Sequence, residues 1–289
     1  MPLFSVFSDS ACDLSADLIT QHNIGIVTFG VTLDGANYFR DGVDMSHAEF
    51  FQALLREKYF PKTSTPSIAD YTDAFTKTLQ EGQDIICLCL SSTFSASYQS
   101  AMNAKSMLME EYPERTIIII DSELASAVQG RLVLEAARLR DAGMTAHEAS
   151  LNIEAIRDTA KIYLTADSLE YLQRGGRIGK ASAIAGTLLN IKPIILMMRG
   201  ELYPIAKVRG RKKTIAEILS KVSEELRGKE DVYNITVVHG MCEAEGAELT
   251  EAFRARGFLV PYGLQQAGAT IGAHIGPTVI GVGYMKVVL

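Results

Sequence analysis

The chain has 289 residues, 47% hydrophobic and 21% charged, with a formal net charge of −6. That composition excludes a disordered polar chain, and the acidic balance argues against a broad nucleic-acid footprint, which needs a basic excess. No apolar stretch approaches the roughly 20 residues that span a bilayer, so an integral membrane protein is not expected. The length is generous for one core and comfortable for two.

The opening MPLFSVFSDSACD has no basic n-region and turns polar early, unlike a signal peptide. Four short apolar runs follow the pattern of strands buried on both faces: LFSVFSDS (3–10), IGIVTFGV (24–31), DIICLCL (84–90) and RTIIIIDS (115–122). Helical periodicity separates them at 46–58, 68–80, 95–111 and 124–141, with Ser46 and Asp70 in capping or first-turn positions. The alternation predicts a doubly wound parallel-sheet α/β domain over 1–160. Cys12, Cys87, Cys89 and Cys242 form no CxxC pair, which suits a reduced, cytoplasmic chain.

A helix restarts after Gly143, and the pattern then changes. AKIYLTADSLEYLQRGGRIGK (160–180) leads from a strand through a short helix into a glycine-rich basic turn. An apolar helix (184–189) precedes IKPIILMMRGELYPIAKV (191–208), a hairpin turning at Arg199-Gly200-Glu201. A long helix (214–226), a strand (233–240), a further helix and GAHIGPTVIGVGYMKVV complete the chain. Residues 161–289 are therefore expected to form a second α/β domain with a mainly antiparallel sheet.

Three strand ends in the first half carry hydroxyls: Asp9-Ser10, Ser91-Ser92-Thr93 and Asp121-Ser122. Each is an ordinary helix-capping composition, and together they also form an anion-compatible rim where open α/β sheets bind ligands. Between Ser91 and Tyr98, six of eight side chains bear a hydroxyl and none is charged. A serine nucleophile there lacks the G-x-S-x-G elbow and S-x-x-K signatures, and it needs a base. Only His239 and His274, of five histidines, fall at strand ends or glycine-flanked turns.

RGGRIGKAS (174–182) fails as a phosphate loop, since three residues rather than four separate Gly175 from Gly179 and Ala181 follows Lys180. Arg174, Arg177 and Lys180 leave either a solvated loop or an anion or partner contact. His274, among four glycines in 272–283, is either a satisfied core histidine or one positioned against a ligand. KTSTPSIADY (62–71) reads as a helix start or as a second hydroxyl loop facing the first. No histidine, cysteine and carboxylate set has metal-ligand spacing.

In this order, SDSACDL, TSTPS, SSTFSASYQSA, IIDS, LEYLQRGGRIGKAS, LLNIKPII, KVRGRKK and HIGPTVIG resemble the DegV family of bacterial fatty-acid-binding proteins along essentially the whole chain. The resemblance implies two α/β domains holding one long-chain fatty acid, with its carboxylate near the interdomain cleft and its acyl chain in an apolar tunnel. Such proteins serve as the acyl-binding subunit of a fatty-acid kinase. A separate ATP-binding subunit phosphorylates the carboxylate to an acyl phosphate for phospholipid synthesis. No catalytic residue and no cofactor is expected in this chain, and surface contact with a membrane is transient at most.

Carried over by position, Thr63, Ser95, the Ala96 N–H and His274 are expected to hold the carboxylate. Arg174 and Arg209 are expected at the head group or at kinase docking, and Phe94, Ile184, Leu188, Ile194 and Leu196 along the tunnel. Departures from the family pattern are Phe94, Ala96 in place of a glycine, and Ile275 and Thr278 flanking the Gly-Pro after His274. Two other readings remain open: an acyl hydrolase or transferase using Ser95 and His274, and a carrier of another amphipathic anion.

Overall fold

The computed structural model describes residues 3–57, 59–184 and 190–287. The expected tunnel residue Leu188 lies outside them. The first half runs β1 (Phe4–Asp9), α1 (Ala16–Gln21), β2 (Ile24–Val27), β3 (Gly30–Thr32), β4 (Tyr38–Arg40) and α2 (His47–Glu57). It continues with β5 (Lys62–Ser64), α3 (Ile68–Gln80), β6 (Asp84–Cys89), α4 (Ser97–Glu111), β7 (Ile117–Asp121), α5 (Ser126–Asp141) and α6 (Ala146–Arg157). The second half comprises β8 (Lys161–Thr165), α7 (Glu170–Arg174), β9 (Ile191–Met198), β10 (Glu201–Arg209), α8 (Arg211–Glu225) and β11 (Tyr233–His239). It ends with α9 (Glu243–Arg254), β12 (Leu264–Gln266), α10 (Ala269–Ile275) and β13 (Ile280–Lys286).

The near-continuous Ile/Val/Leu runs form an all-parallel sheet ordered β2-β1-β6-β7. Both faces are covered, as such runs require. Phe7, Val27 and Ile85 pack under Tyr71 and Phe75 of α3 and Ala104 and Leu108 of α4. Val6, Ile86 and Ile120 pack against α5 and α6 on the other side. The second-half sheet is ordered β10-β9-β8-β13-β11-β12, antiparallel except for the parallel β11–β12 pair. Its inner face shares the α5/α6 core through Ile162, Ile195, Met197 and Met285. Its outer face packs on Ile218 and Val222 of α8 and Leu249 and Phe253 of α9. The layers are thus helices, parallel sheet, α5 and α6, mixed sheet, helices.

The run 24–31, expected as one strand, is broken. The Phe29 N–H donates to Ser10 Oγ at 3.0 Å, so the chain leaves the parallel sheet after Val27. β3 then pairs antiparallel with β4 and β5 in a separate small sheet. That sheet and α2 enclose α10 from the far end of the chain, through Phe29, Val31, Phe50, Phe51 and Ile271. The crossing places Thr63 on β5 beside His274 on α10.

Candidate functional site

Thr63 is delivered by β5, whose neighbour Ser67 caps α3 in a capping box with Asp70 (Ser67 Oγ accepts from the Asp70 N–H at 3.1 Å). The proline-containing loop 65–67 is therefore fixed at both ends. Thr63 Oγ1 lies 3.0 Å from His274 Nε2. His274 rides on α10, whose first N–H groups, from Ala269 and Thr270, both donate to the buried Asp41 carboxylate at 3.1 Å. Burial, together with the nearby Arg177 charge, lowers His274 to about 4, so the imidazole is neutral near pH 7. Its Nδ1 is buried without a hydrogen-bond partner among the described residues. The tautomer that strands no N–H keeps the proton on Nε2 and donates it to Thr63 Oγ1. The Thr63 hydroxyl proton is then free to point at a ligand.

The hydroxyl-rich stretch 91–98 divides its labour. Ser95 Oγ lies 3.2 Å from Thr65 Oγ1 and accepts from the Ser97 N–H at 3.1 Å. Ser97 instead donates to Asp9 Oδ2 at 2.7 Å and meets the Tyr71 hydroxyl at 2.6 Å. Asp9 also accepts from the Leu90 N–H and from Gln129. Burial outweighs these donors and pushes Asp9 up to about 6. Ser91 and Thr93 face the β9–β10 turn: their hydroxyls lie 2.9 Å apart, Thr93 Oγ1 donates to the Gly200 carbonyl, and Gly200 N–H donates to Glu123 O at 3.0 Å. The expected rim of strand-end hydroxyls is mostly scaffolding. Ser10 accepts from Phe29, Asp121 holds the Ser92 and Glu123 N–H groups, and only the Ser95 region opens into the cavity.

Thr63, Ser95 and His274 line one cavity with about 870 Å³ of empty space, counting its open mouth. Behind this polar end the lining is apolar: Ile162, Leu164, Leu172, Met197, Leu202 and Val279. Phe94 is part of the wall. Ala96 stands exposed at the N-cap of α4, beside Ser95, with its carbonyl accepting from the Ser100 N–H.

The expectation for Ile194 and Leu196 is off by one residue. Alternation along β9 sends both into the outer core against α8, while Ile195 and Met197 take the inner face. Ile184, ending a short 3₁₀ segment, packs against the inner core without lining the cavity.

The basic residues also separate. Arg209 ends β10, paired with Ile191, exposed and away from the cavity lining. Arg174 borders a vestibule that shares Thr63, Arg177 and His274 with the cavity. Its guanidinium already pairs with Glu170 at 2.9 Å and stacks 3.7 Å above the Phe60 ring. Arg177 is the cation common to both spaces, donating from Nε to Phe94 O at 3.0 Å and from Nη1 to Gly175 O at 2.6 Å. Thr65 and Arg177 extend the expected set. The signal for each was present, a hydroxyl beside Pro66 and a third cation in the glycine-rich turn, but spacing alone does not separate Arg177 from Arg174.

The arrangement offers neutral donors to an anion at the mouth of an apolar chamber. It does not pair Ser95 with His274: His274 contacts Thr63, while Ser95 contacts Thr65 and the Ser97 N–H. An imidazole lowered to about 4 is also a weak base. Among the described residues no helix is long and apolar enough to cross a membrane.

Comparison with known proteins gives a consistent result. A profile described as "Uncharacterised protein, DegV family" matches residues 4–287. A DegV domain-containing protein of Caldanaerobacter subterraneus is 33% identical over 285 residues, covering 98% of each chain. A stearic-acid-binding protein of Eubacterium ventriosum superposes with a TM-score of 0.92 at 34% identity, covering 98% of each chain. A structure described as fatty-acid binding of a DegV family protein from Thermus thermophilus gives 0.89 at 31% identity, covering 99% of this chain and 100% of the other. With its three sheets, crossing α10 and whole-length match, the chain belongs to the DegV family.

Proposed function

We propose that this protein binds one long-chain fatty acid, carboxylate at Thr63, Ser95 and His274, acyl chain in the apolar cavity, and presents it to a separate kinase. The carrying observation is the junction of hydroxyl and imidazole donors, with Arg177 beside them, and an otherwise apolar chamber. Two hydroxyls and the Ala96 N–H region hold a carboxylate without a bidentate arginine, whose charge-assisted bonds are stronger. The carboxylate oxygen therefore stays available to attack a phosphoryl group. At about 0.8 kcal/mol per buried methylene, most affinity comes from the tail, so weak head-group contacts suffice. Relatives described as stearic-acid-binding and fatty-acid-binding support the ligand class.

The vestibule lined by Lys62, Arg174 and Arg177 joins the head-group end to solvent, the side from which a phosphoryl donor would have to arrive. In this reading the chain has no catalytic residue and no cofactor, works in the cytoplasm, and relies on its partner for ATP. A complete test combines the delipidated protein, a fatty acid, ATP and a bacterial fatty-acid kinase subunit. Acyl phosphate forming only when both proteins are present supports the reading. Acyl transfer onto Ser95 from an activated ester, with no need of a kinase, would replace it with the hydrolase or transferase alternative.

A further inference from the structure

On the mixed sheet, β13 lies between β8 and β11, and all three contribute residues to the cavity. Val238, Gly281 and Leu164 stand in one row across β11, β13 and β8, and all three line the cavity. A Cβ on Gly281 would meet Val238 Cγ1 at 2.8 Å, then Tyr163 O at 3.7 Å and Leu164 Cβ at 3.8 Å. Those are neighbours within the sheet. The three nearest atoms include none from another layer, so the space above Gly281 belongs to the cavity.

Two residues further along the same face, Gly283 is in the opposite situation. The space its Cβ would take is filled by Cγ1, Cγ2 and Cβ of Val128 on α5. Val128 is itself 1% exposed, so it is locked between the helix and the sheet. Ile162, the β8 partner of Gly283, and Met197 beyond it still line the cavity. So do Ala125 and Ser126 at the start of α5. The lining therefore reaches Ile162 and Met197 beside Gly283, while Gly283 itself is covered by Val128.

We propose that Val128, seated on Gly283, is the end stop of the acyl tunnel and sets the longest chain accepted, with Gly281 as the floor under the distal methylenes. This rests on the fatty-acid reading above. Same-face residues on a strand are about 7 Å apart, and Val128→Ala removes Cγ1 and Cγ2 but keeps Cβ over Gly283, so trimming Val128 lengthens the chamber by only part of one pleat. A methyl on Gly281 raises the floor and shortens the usable depth.

The test measures binding of saturated fatty acids of graded length to delipidated wild type, Val128→Ala and Gly281→Ala, with circular dichroism to verify folding. Wild-type affinity should rise with length to a cutoff. In Val128→Ala the cutoff moves to longer acids, which bind roughly tenfold tighter than to wild type for every two methylenes newly buried. In Gly281→Ala it moves to shorter ones, and this variant decides the matter should Val128→Ala fail to fold. Unchanged cutoffs with normal binding of shorter acids would overturn the end stop while leaving fatty-acid binding intact. A wild type that binds no fatty acid of any length removes the underlying reading as well.

Discussion

The imidazole of His274 occupies the space that a side chain on residue 175 would need. A Cβ built on Gly175 would collide with His274 Nδ1 and approach Cε1 to 3.1 Å. The glycine-rich turn and the glycine-flanked histidine, about a hundred residues apart in sequence, are thus two halves of one contact. Gly175 is there so that His274 can reach Thr63.

Gly175→Ala should therefore displace the imidazole and break its 3.0 Å contact with Thr63. Overpacking of this kind costs about 1–3 kcal/mol. Calorimetry on the delipidated variant should show fatty-acid affinity reduced by about tenfold or more with the fold retained. Wild-type affinity in the variant would separate His274 from the head-group site.

Much of this was legible in the sequence and some was not. The buried strands and the hairpin at Arg199-Gly200 follow from apolar runs and turn residues, while the grouping of Thr63, Ser95 and His274 was implied only by the family resemblance. The split of 24–31 into β2 and β3 was not legible, because it depends on Ser10 taking the Phe29 N–H. The side of β9 facing the cavity was also hidden. Ile194 to Met197 are all apolar and both faces of the strand are buried, so hydrophobicity carries no phase. The hydroxyls of 91–98 look alike in sequence; only the tertiary partners, Asp9, Tyr71 and Gly200, distinguish scaffold from site.

Single removal of a head-group hydroxyl should weaken binding without abolishing it. Thr63→Val and Ser95→Ala each remove a hydrogen bond to a charged group, worth roughly 1.5–3 kcal/mol, or about tenfold to a hundredfold in Kd. The tail contribution remains. Competition binding against wild type checks this. Equal affinity in both variants would place the carboxylate elsewhere.

The hairpin clasp should matter to stability more than to ligand chemistry. Gly200 has φ +73° and its Cβ would come within 2.7 Å of Ser91 Oγ. Gly200→Ala is expected to cost about 1–3 kcal/mol through backbone strain and crowding, read as a lower urea midpoint and faster proteolysis near residues 91–95. An unchanged midpoint would show that the β9–β10 turn does not hold that loop.

Two buried carboxyls give the fold a defined pH dependence. Burial raises Asp9 to about 6 and Asp13 to about 7, against 3.8 for the free side chain. Between those values the native protein holds protons that the unfolded chain has released. The associated stabilisation is full below pH 3.8 and is lost as pH rises through the folded values. His274 works in the other direction: lowered to about 4 from 6.5, it favours the native state above 6.5, a contribution lost as pH falls towards 4. Asp9→Asn and Asp13→Asn should each flatten the decline in unfolding free energy between about pH 4 and about pH 8, measured by urea titration. A decline as steep as that of wild type in both variants would assign it to other groups.

The central claim, that the chamber behind Thr63, Ser95 and His274 holds a fatty acid, is tested most directly by the mass of what the protein carries. Protein purified from a heterologous bacterial host is denatured, extracted with organic solvent and analysed by mass spectrometry. The account predicts close to one long-chain fatty acid per chain, lost or strongly reduced when Leu164 or Met197 is replaced by a charged residue. Protein that carries no acyl ligand and takes up none when offered would contradict it.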